Sequence, residues 1–545
     1  MAFGLRTLAL GAVVLLLTVS TCSAVDRRMW RNLKQSGLSK NPVCNATFER
    51  VYAQEVGNRV HGNFHYMDFT GSSVFLNRQI SGTAEIYSSG VFGNPHSKSE
   101  SSRLSTKYVS EMRSKIYEYF SADPEEYEVV FTRSATGALV LLGGAFPFSS
   151  SSGSSYAYTV SNHNSVLGIR SYAQEKGARV GAVTEEEIED WLSTPLSQSS
   201  KFAGTVFEGV SGEGPNGTSY SLFAYPAKDN YEGVLYPLRW VEEVQRKSTP
   251  GHEWLVLLDT AAYAPTYRLN LSSVHPDFVV VSFYKVFGLP TGVGAWIMKR
   301  SSEEKLRRVY WGGSSVFTAT SALPWEVRFT DAAKWEDGTL PFLEIASLET
   351  GFQTMEYLGG IDRVQEYVTC LGSYMSRRLQ SLTHSNGQPL LRLYGKHYDD
   401  PSRQSGIANF QLLKPSGELF GYRTASLVLS GAGFQVRDGC MCNPGACYRA
   451  VGVTDEEVRA KAMAADGNYA GWEWIEVERD GKLVRLPLGS IRVSLGWMSR
   501  QSDIDSLVDF LMSTYRDVEV DPQPATKEAR TQSKVNGTSA SFYGC

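Results

Sequence analysis

Histidine and cysteine are scarce: the 545 residues contain 8 and 7 of them. So few cysteines over this length do not make a disulfide framework. Three crowd into one short stretch, Cys440, Cys442 and Cys447, and Cys22 lies in an N-terminal leader. Charge of one sign is scarce too. Lys and Arg number 53 and Asp and Glu 57, for a formal net charge of −4, with no block of like charge. That balance carries no footprint of a nucleic-acid or anionic-membrane partner. Internal repeats are absent, which argues against a solenoid or propeller. Long apolar runs are limited to one, Leu8 to Val19, preceded by Arg6 and followed by Cys22-Ser23-Ala24. A bilayer span needs about 20 such residues. The pattern predicts a signal peptide, residues 1–24, cut near Ala24, with no membrane contact afterwards; a membrane anchor is the alternative reading, for which the run is short. Sequons at Asn45, Asn216, Asn270 and Asn536 agree with a secretory route.

What is present is an ordinary globular composition, 42% hydrophobic and 20% charged, with material for roughly two to four domains. Residues 25–64 read as a polar extension with helical character. From 65 to 345, apolar runs end repeatedly in polar or small-residue turns and alternate with helical stretches. "YEVVFTRSATGALVLLGGAF" reads as strand, turn and helix, and "STKYVSEMRSKIYEYFSA" as a helix from Ser105, a possible cap, to Ala122. Such alternation predicts an α/β domain with a mostly parallel sheet covered on both faces. From 346 to 519 the texture changes to two long helices, short strands, a cysteine loop and a final helix, "QSDIDSLVDFLMSTY". That predicts a smaller C-terminal α+β domain. The tail, 520–545, has a disordered composition.

In parallel sheets, ligands gather outside the carboxyl ends of the strands. Those ends offer Lys285 after "FVVVSFY", Asp259 after "WLVLL", His163 after "YAYTV", and Ser134 and Thr136 in a turn before a helix. Each alone has a plain reading: a solvated strand end, a turn former, an ordinary helix start. Together they are the parts of a pyridoxal-phosphate (PLP) site. The lysine can form a Schiff base, the buried acid suits a pyridinium nitrogen, and the helix start is a phosphate cradle. The three clustered cysteines leave alternatives open: a reactive thiol, a disulfide between two of them, or a metal site lacking a fourth ligand.

The segment "SFYKVFGLPTGVGA" resembles the cofactor-lysine segment of the class V aminotransferase superfamily, and its molybdenum cofactor sulfurase branch in particular. Further matching segments are "GNPHS", "VVFTRSATGAL", "SNHNSVLGIR", "FAYPAKDNYEGVLYPLRWVEEV", "LLDTAAY", "WEDGTLPFLEI", "VRDGCMCNPGACYRAVG" and "GSIRVSLGWMS". They run from about Tyr66 to Leu511. The resemblance implies a PLP-dependent transferase type I fold with a seven-stranded sheet. It implies that Lys285 holds the cofactor covalently, Asp259 pairs with its pyridinium nitrogen, His163 stacks on the ring and Asn230 approaches its phenolic oxygen. Ala135, Thr136 and Ser282 would hold the phosphate, and Ser315 of a second subunit would complete it, so a homodimer is implied. Arg492 would clamp the substrate carboxylate. Cys442, near Arg437, would take sulfur from L-cysteine as a persulfide, with release of alanine. The acceptor in that branch is the molybdenum cofactor of hydroxylases.

The chain departs from the family pattern at several places. Phe69 replaces a basic or polar residue, Arg133 stands beside the phosphate turn, Ala262 replaces a polar residue, and Tyr284 precedes the lysine. The branch works in the cytosol, whereas this leader predicts the secretory pathway. Its eukaryotic members carry a C-terminal domain that binds the molybdenum cofactor, and the resemblance here stops near Leu511.

Overall fold

The computed structural model describes residues 44, 46–60, 62–150, 153–195, 206–207, 217–465 and 472–523. The predicted signal peptide, Asn45, Asn216 and Asn536, and the tail beyond 523 lie outside the described residues. Residues up to 46 form one unit, of which only Cys44 and Ala46 are described, and the chain from Thr47 onward forms a second. All that follows concerns the second.

Seven strands make the large sheet: β1 (Tyr127–Thr132), β2 (Ser155–Thr159), β3 (Arg179–Val183), β4 (Ser219–Pro226), β5 (His252–Asp259), β6 (Phe278–Ser282) and β7 (Gly294–Lys299). Their order is β1-β7-β6-β5-β4-β2-β3. Only β7 runs against its neighbours, so the other six present their carboxyl ends along one edge. The strands read as continuous β-branched and aromatic runs because both faces are covered. Every residue of β2 and β6 is buried. Each such Val or Phe side chain contributes about 1.5–3 kcal/mol relative to exposure.

A second sheet is formed by β8 (Leu391–Tyr394), β9 (Ile407–Leu412), β10 (Arg437–Gly439) and β11 (Ser490–Ser494), in the order β8-β9-β11-β10 and antiparallel throughout. The helices include α1 (Ala135–Ala145), α2 (Phe283–Phe287), α3 (Phe342–Tyr357), α4 (Ile361–Gln380), α5 (Pro444–Val451) and α6 (Gln501–Tyr515), of which α1, α2 and α5 border the site described below. The α/β architecture and the α+β character of the later region match the sequence pattern. No helix among the described residues is long and apolar enough to cross a membrane.

One local expectation differs, and one element goes beyond the sequence reading. The helix predicted from Ser105 spans Glu100–Phe120, and its cap is Ser99, whose side chain accepts from the Ser102 N–H. Ser105 is buried inside it and donates to Gly93 O at 2.6 Å. The serine that precedes the first free N–H groups caps the helix, not the one nearest the apolar periodicity. A hairpin, Trp474–Arg479 with Lys482–Pro487, turns at Asp480 and Gly481, both at positive φ. Its Asp-Gly pair is the two-residue turn signal of a hairpin.

Candidate active site

The β1–α1 turn builds one wall. Ser134 caps α1 by accepting from Gly137 N–H at 3.2 Å. The Ala135 N–H donates to Ser282 Oγ at 2.9 Å, joining the helix start to the end of β6. Thr136 Oγ1 and Ser165 Oγ lie 2.9 Å apart. A Cβ at Gly294 would sit 2.5 Å from Val281 O and 2.8 Å from Ser134 backbone, so β7 approaches α1 this closely only with glycine there. Hydroxyls and N–H groups thus converge at a helix N-terminus, a donor set that fits a phosphate.

Beside this wall, the strand ends bring Asp259, Lys285 and His163 together. Lys285 lies in α2, one turn past β6. Burial pulls its amine below the usual lysine range, Asp259 opposes that, and Arg492 adds to it. Asp259 is 8% exposed and accepts from Ala261 N–H at 2.9 Å. Burial raises its carboxyl, against the Ala261 hydrogen bond and Lys285. His163 follows β2, and its Nδ1 accepts from Ser165 N–H at 3.1 Å. Burial, and then the Lys285 charge, lower it to about 4. The ring is therefore neutral near pH 7, with its remaining proton on Nε2. A buried acid, a depressed lysine and a neutral imidazole beside an anion cradle fit PLP.

The cysteine loop crosses this edge. A disulfide joins Cys440 to Cys447, and Cys442 keeps its thiol between them. The disulfide alternative therefore holds for two of the three cysteines, and the third is the one matched to the nucleophile. No group among the described residues is arranged to hold a metal. Met441 and Cys442 both have positive φ, 52° and 57°, a conformation that costs about 1 kcal/mol or more per non-glycine residue. Long-range bonds hold it. Asn164 N–H donates to Cys442 O at 2.7 Å, and Asn230 Nδ2 to Met441 O at 2.7 Å. Asn443 Nδ2 bridges Asp229 Oδ1 at 2.8 Å and Asn230 Oδ1 at 3.0 Å, while its own Oδ1 caps α5. Arg449, on α5, donates to Ser161 Oγ at 2.7 Å and Glu232 at 3.2 Å. Cys442 comes within electrostatic reach of Lys285, Arg437 and Tyr284.

Arg492, on β11, is 2% exposed. Its Nη1 donates to Asn230 O at 2.8 Å and its Nη2 to Asp68 Oδ1 at 2.7 Å, and its Nε is buried without a partner. Of the sequence-derived residues, Asn230 spends both side-chain atoms on the cysteine loop. Ser315 is buried in a turn of its own chain, accepting from Gly312 N–H at 2.9 Å and lying 2.7 Å from Asp337 Oδ1. Phe69 is a core residue, and Gly496 leaves room for its ring.

Sequence reasoning missed Asp68, Asn443, Glu232 and Lys228. Lys228 is buried, donates to Thr266 Oγ1 at 2.8 Å, and is lowered to about 7 by burial, Arg492 and Lys285. Its position two residues past a strand end, in "AKDN", is the one signal it gave.

A depressed lysine one turn past a parallel strand, a buried acid on the next strand and an anion cradle define the PLP-dependent transferase type I fold. The chain belongs to the aminotransferase class-V family, whose match covers residues 65–198 and 216–507. It is similar to the human protein named molybdenum cofactor sulfurase, 35% identical over 464 residues, which make up 82% of this chain and 49% of the relative. The Arabidopsis thaliana protein of that name is 34% identical over 83% of this chain and 56% of its own length. The chain thus spans about half the length of these curated relatives. Among solved structures, an apo cysteine desulfurase from Thermococcus onnurineus NA1 aligns with a TM-score of 0.64 at 18% identity, over 86% of this chain and 98% of the other. The cystine C-S lyase C-DES, in complex with its product cysteine persulfide, aligns at 0.60 and 16% identity, over 84% and 98%.

Proposed function

We propose that the chain is a PLP-dependent sulfur transferase. It takes sulfur from L-cysteine onto Cys442, releases alanine, and hands the sulfur to an acceptor such as the molybdenum cofactor or its carrier. The observation that carries this reading is the cysteine loop. A left-handed Met441–Cys442 pair is held across the strand ends by Asn164 and Asn230. Loops keep such backbone where it serves a site.

Ala135, Thr136 and Ser282 would hold the cofactor phosphate, Asp259 its ring nitrogen, and Lys285 its carbonyl carbon. Bound there, PLP supplies an electron sink for charge developing at the substrate α-carbon. Arg492 would orient the substrate carboxylate with its fork of donors. Lys285, with its amine pulled below the usual range, would move the α-proton. The Cys442 thiolate would attack the substrate sulfur: an S–S bond forms and the C–S bond breaks. The carbon skeleton gains a proton and leaves as alanine. Arg437 would favour the thiolate.

A second copy of the chain is part of the reading. Val316–Ala319 and Glu326–Arg328 form a hairpin carrying exposed apolar residues, among them Phe317 at 72% and Trp325 at 53%. Apolar surface of that kind fits an interface, and Ser315 stands at its base. The secretory address from the leader is part of the reading too.

The test is PLP uptake followed by alanine and persulfide release from L-cysteine. Lys285→Ala and Cys442→Ala should each remove turnover, and Cys442→Ala should still take up PLP. Turnover indifferent to Cys442 would turn the reading to a C–S lyase. A chain that takes up no PLP would overturn it.

A further inference from the structure

Asp68 is a charged group that touches the proposed carboxylate clamp and that the proposed reaction does not use. It follows the short strand His65–Tyr66 and bridges to Ser494 on β11. Its Oδ1 accepts from Arg492 Nη2 at 2.7 Å. Its Oδ2 accepts from Arg437 Nε at 2.9 Å, and Arg437 Nη2 lies 2.8 Å away. One carboxylate therefore ties two guanidinium groups together. The fit is close: a Cβ at Gly71 would lie 2.5 Å from Asp68 Oδ2 and 2.7 Å from Arg437 Nη2. Asp68 does not saturate the clamp, because Arg492 Nε is buried and unpaired.

The charge count follows. Two arginines and one aspartate leave one net positive charge. A single carboxylate neutralises it; a second anion meets Asp68. Like charges held close in a desolvated site repel strongly, and a repulsive element is a common source of specificity.

We propose that Asp68 is a specificity-determining residue. It holds the clamp at one net positive charge, so the site takes amino acids with one anionic group and turns away those with a second anion on the side chain. This rests on the reading of Arg492 as the carboxylate clamp. Lys285, Lys228 and Asp229 also bear on the site, but they stay constant across the variants that test it.

The experiment uses the full chain loaded with PLP, as wild type, Asp68→Asn, Arg437→Gln and the double variant. L-alanine and L-aspartate are the probes, and binding is read from cofactor absorbance and from the shift of the thermal midpoint. Asp68→Asn should raise the aspartate-to-alanine affinity ratio by about tenfold or more. Arg437→Gln should lower it. The double variant, which restores the charge count, should return to within about threefold of wild type. A merely structural anchor predicts that the double variant binds both amino acids worse than either single. That outcome, or an unmoved ratio in Asp68→Asn, overturns the proposal while leaving the reaction standing. A chain that takes up no cofactor and shows no midpoint shift with either amino acid overturns the site reading itself, and the assignment of Asp68 with it.

Discussion

Lys285 and Cys442 meet in the proposed reaction, yet the chain holds them by different means. Lys285 follows β6, a fully buried strand paired on one side with β5 and on the other with β7. Ladder hydrogen bonds and packing fix it, and both are local consequences of a β-branched run. Cys442 lies in no regular element. Its backbone is left-handed, and Asn164 and Asn230 hold its loop from segments far away in sequence, Asn230 both directly and through Asn443 of the loop. The first arrangement tolerates side-chain changes around it, because the ladder survives them. The second rests on one short disulfide and a handful of polar contacts, and each loss should be felt.

The largest break of this comparison is expected at the sheet edge, in chemistry and not in folding. Asp259→Asn should cut alanine release by about a thousandfold, with a thermal midpoint near that of wild type. A collapse of the midpoint would make Asp259 structural. Next comes Gly294→Ala, which drives a Cβ to 2.5 Å from Val281 O. It should cost about 3 kcal/mol in denaturant melts and weaken cofactor uptake.

Asn443→Ala tests the loop. It removes the α5 cap and the bonds to Asp229 and Asn230. The expected cost is roughly 1–3 kcal/mol, with faster alkylation of Cys442 and unchanged PLP uptake. Unchanged alkylation would mean that the loop does not depend on Asn443.

The smallest effects are pH slopes of opposite sign. His163, at the sheet edge, is lowered from 6.5 to about 4 by burial and then by Lys285. The unfolded chain binds the extra proton between those values, so stability falls as pH drops from 6.5 toward 4. Glu232, in the loop latch, is raised from 4.5 to about 7 by burial and then by Asp229, against Arg449. The folded chain keeps the extra proton there, so stability falls as pH rises from 4.5 toward 7. His163→Gln should flatten the first slope and Glu232→Gln the second in thermal melts across pH 4–8. Slopes that survive both substitutions would assign them to other groups.

The same contrast explains what was legible. Lys285, Asp259 and His163 stood at the ends of apolar runs, so strand reading and turn chemistry reached them. Ser282 and Ala135 could be nominated, but their hydrogen bond to one another spans 147 positions. Asp68 gave no signal, because its partners Arg437 and Arg492 lie 369 and 424 positions away. Asn443 precedes a proline, where its local cap to Ala446 is all that short-range pattern can suggest, and its bonds to Asp229 and Asn230 appear only once "KDNYE" folds against it. The cysteine cluster was visible, but not which pair would close.

By itself, the sequence determined the parallel sheet, the order of its chemistry-bearing strand ends and the lysine that a cofactor would need. Those follow from periodicity and turn residues, which act over a few positions. Tertiary structure alone decided the left-handed seat of Cys442, the Cys440–Cys447 pairing and the Asp68 bridge between two arginines. The seat of Cys442 and the Asp68 bridge depend on groups hundreds of residues apart meeting at hydrogen-bond distance, and the disulfide, though its cysteines are seven positions apart, closes within the loop that those contacts shape.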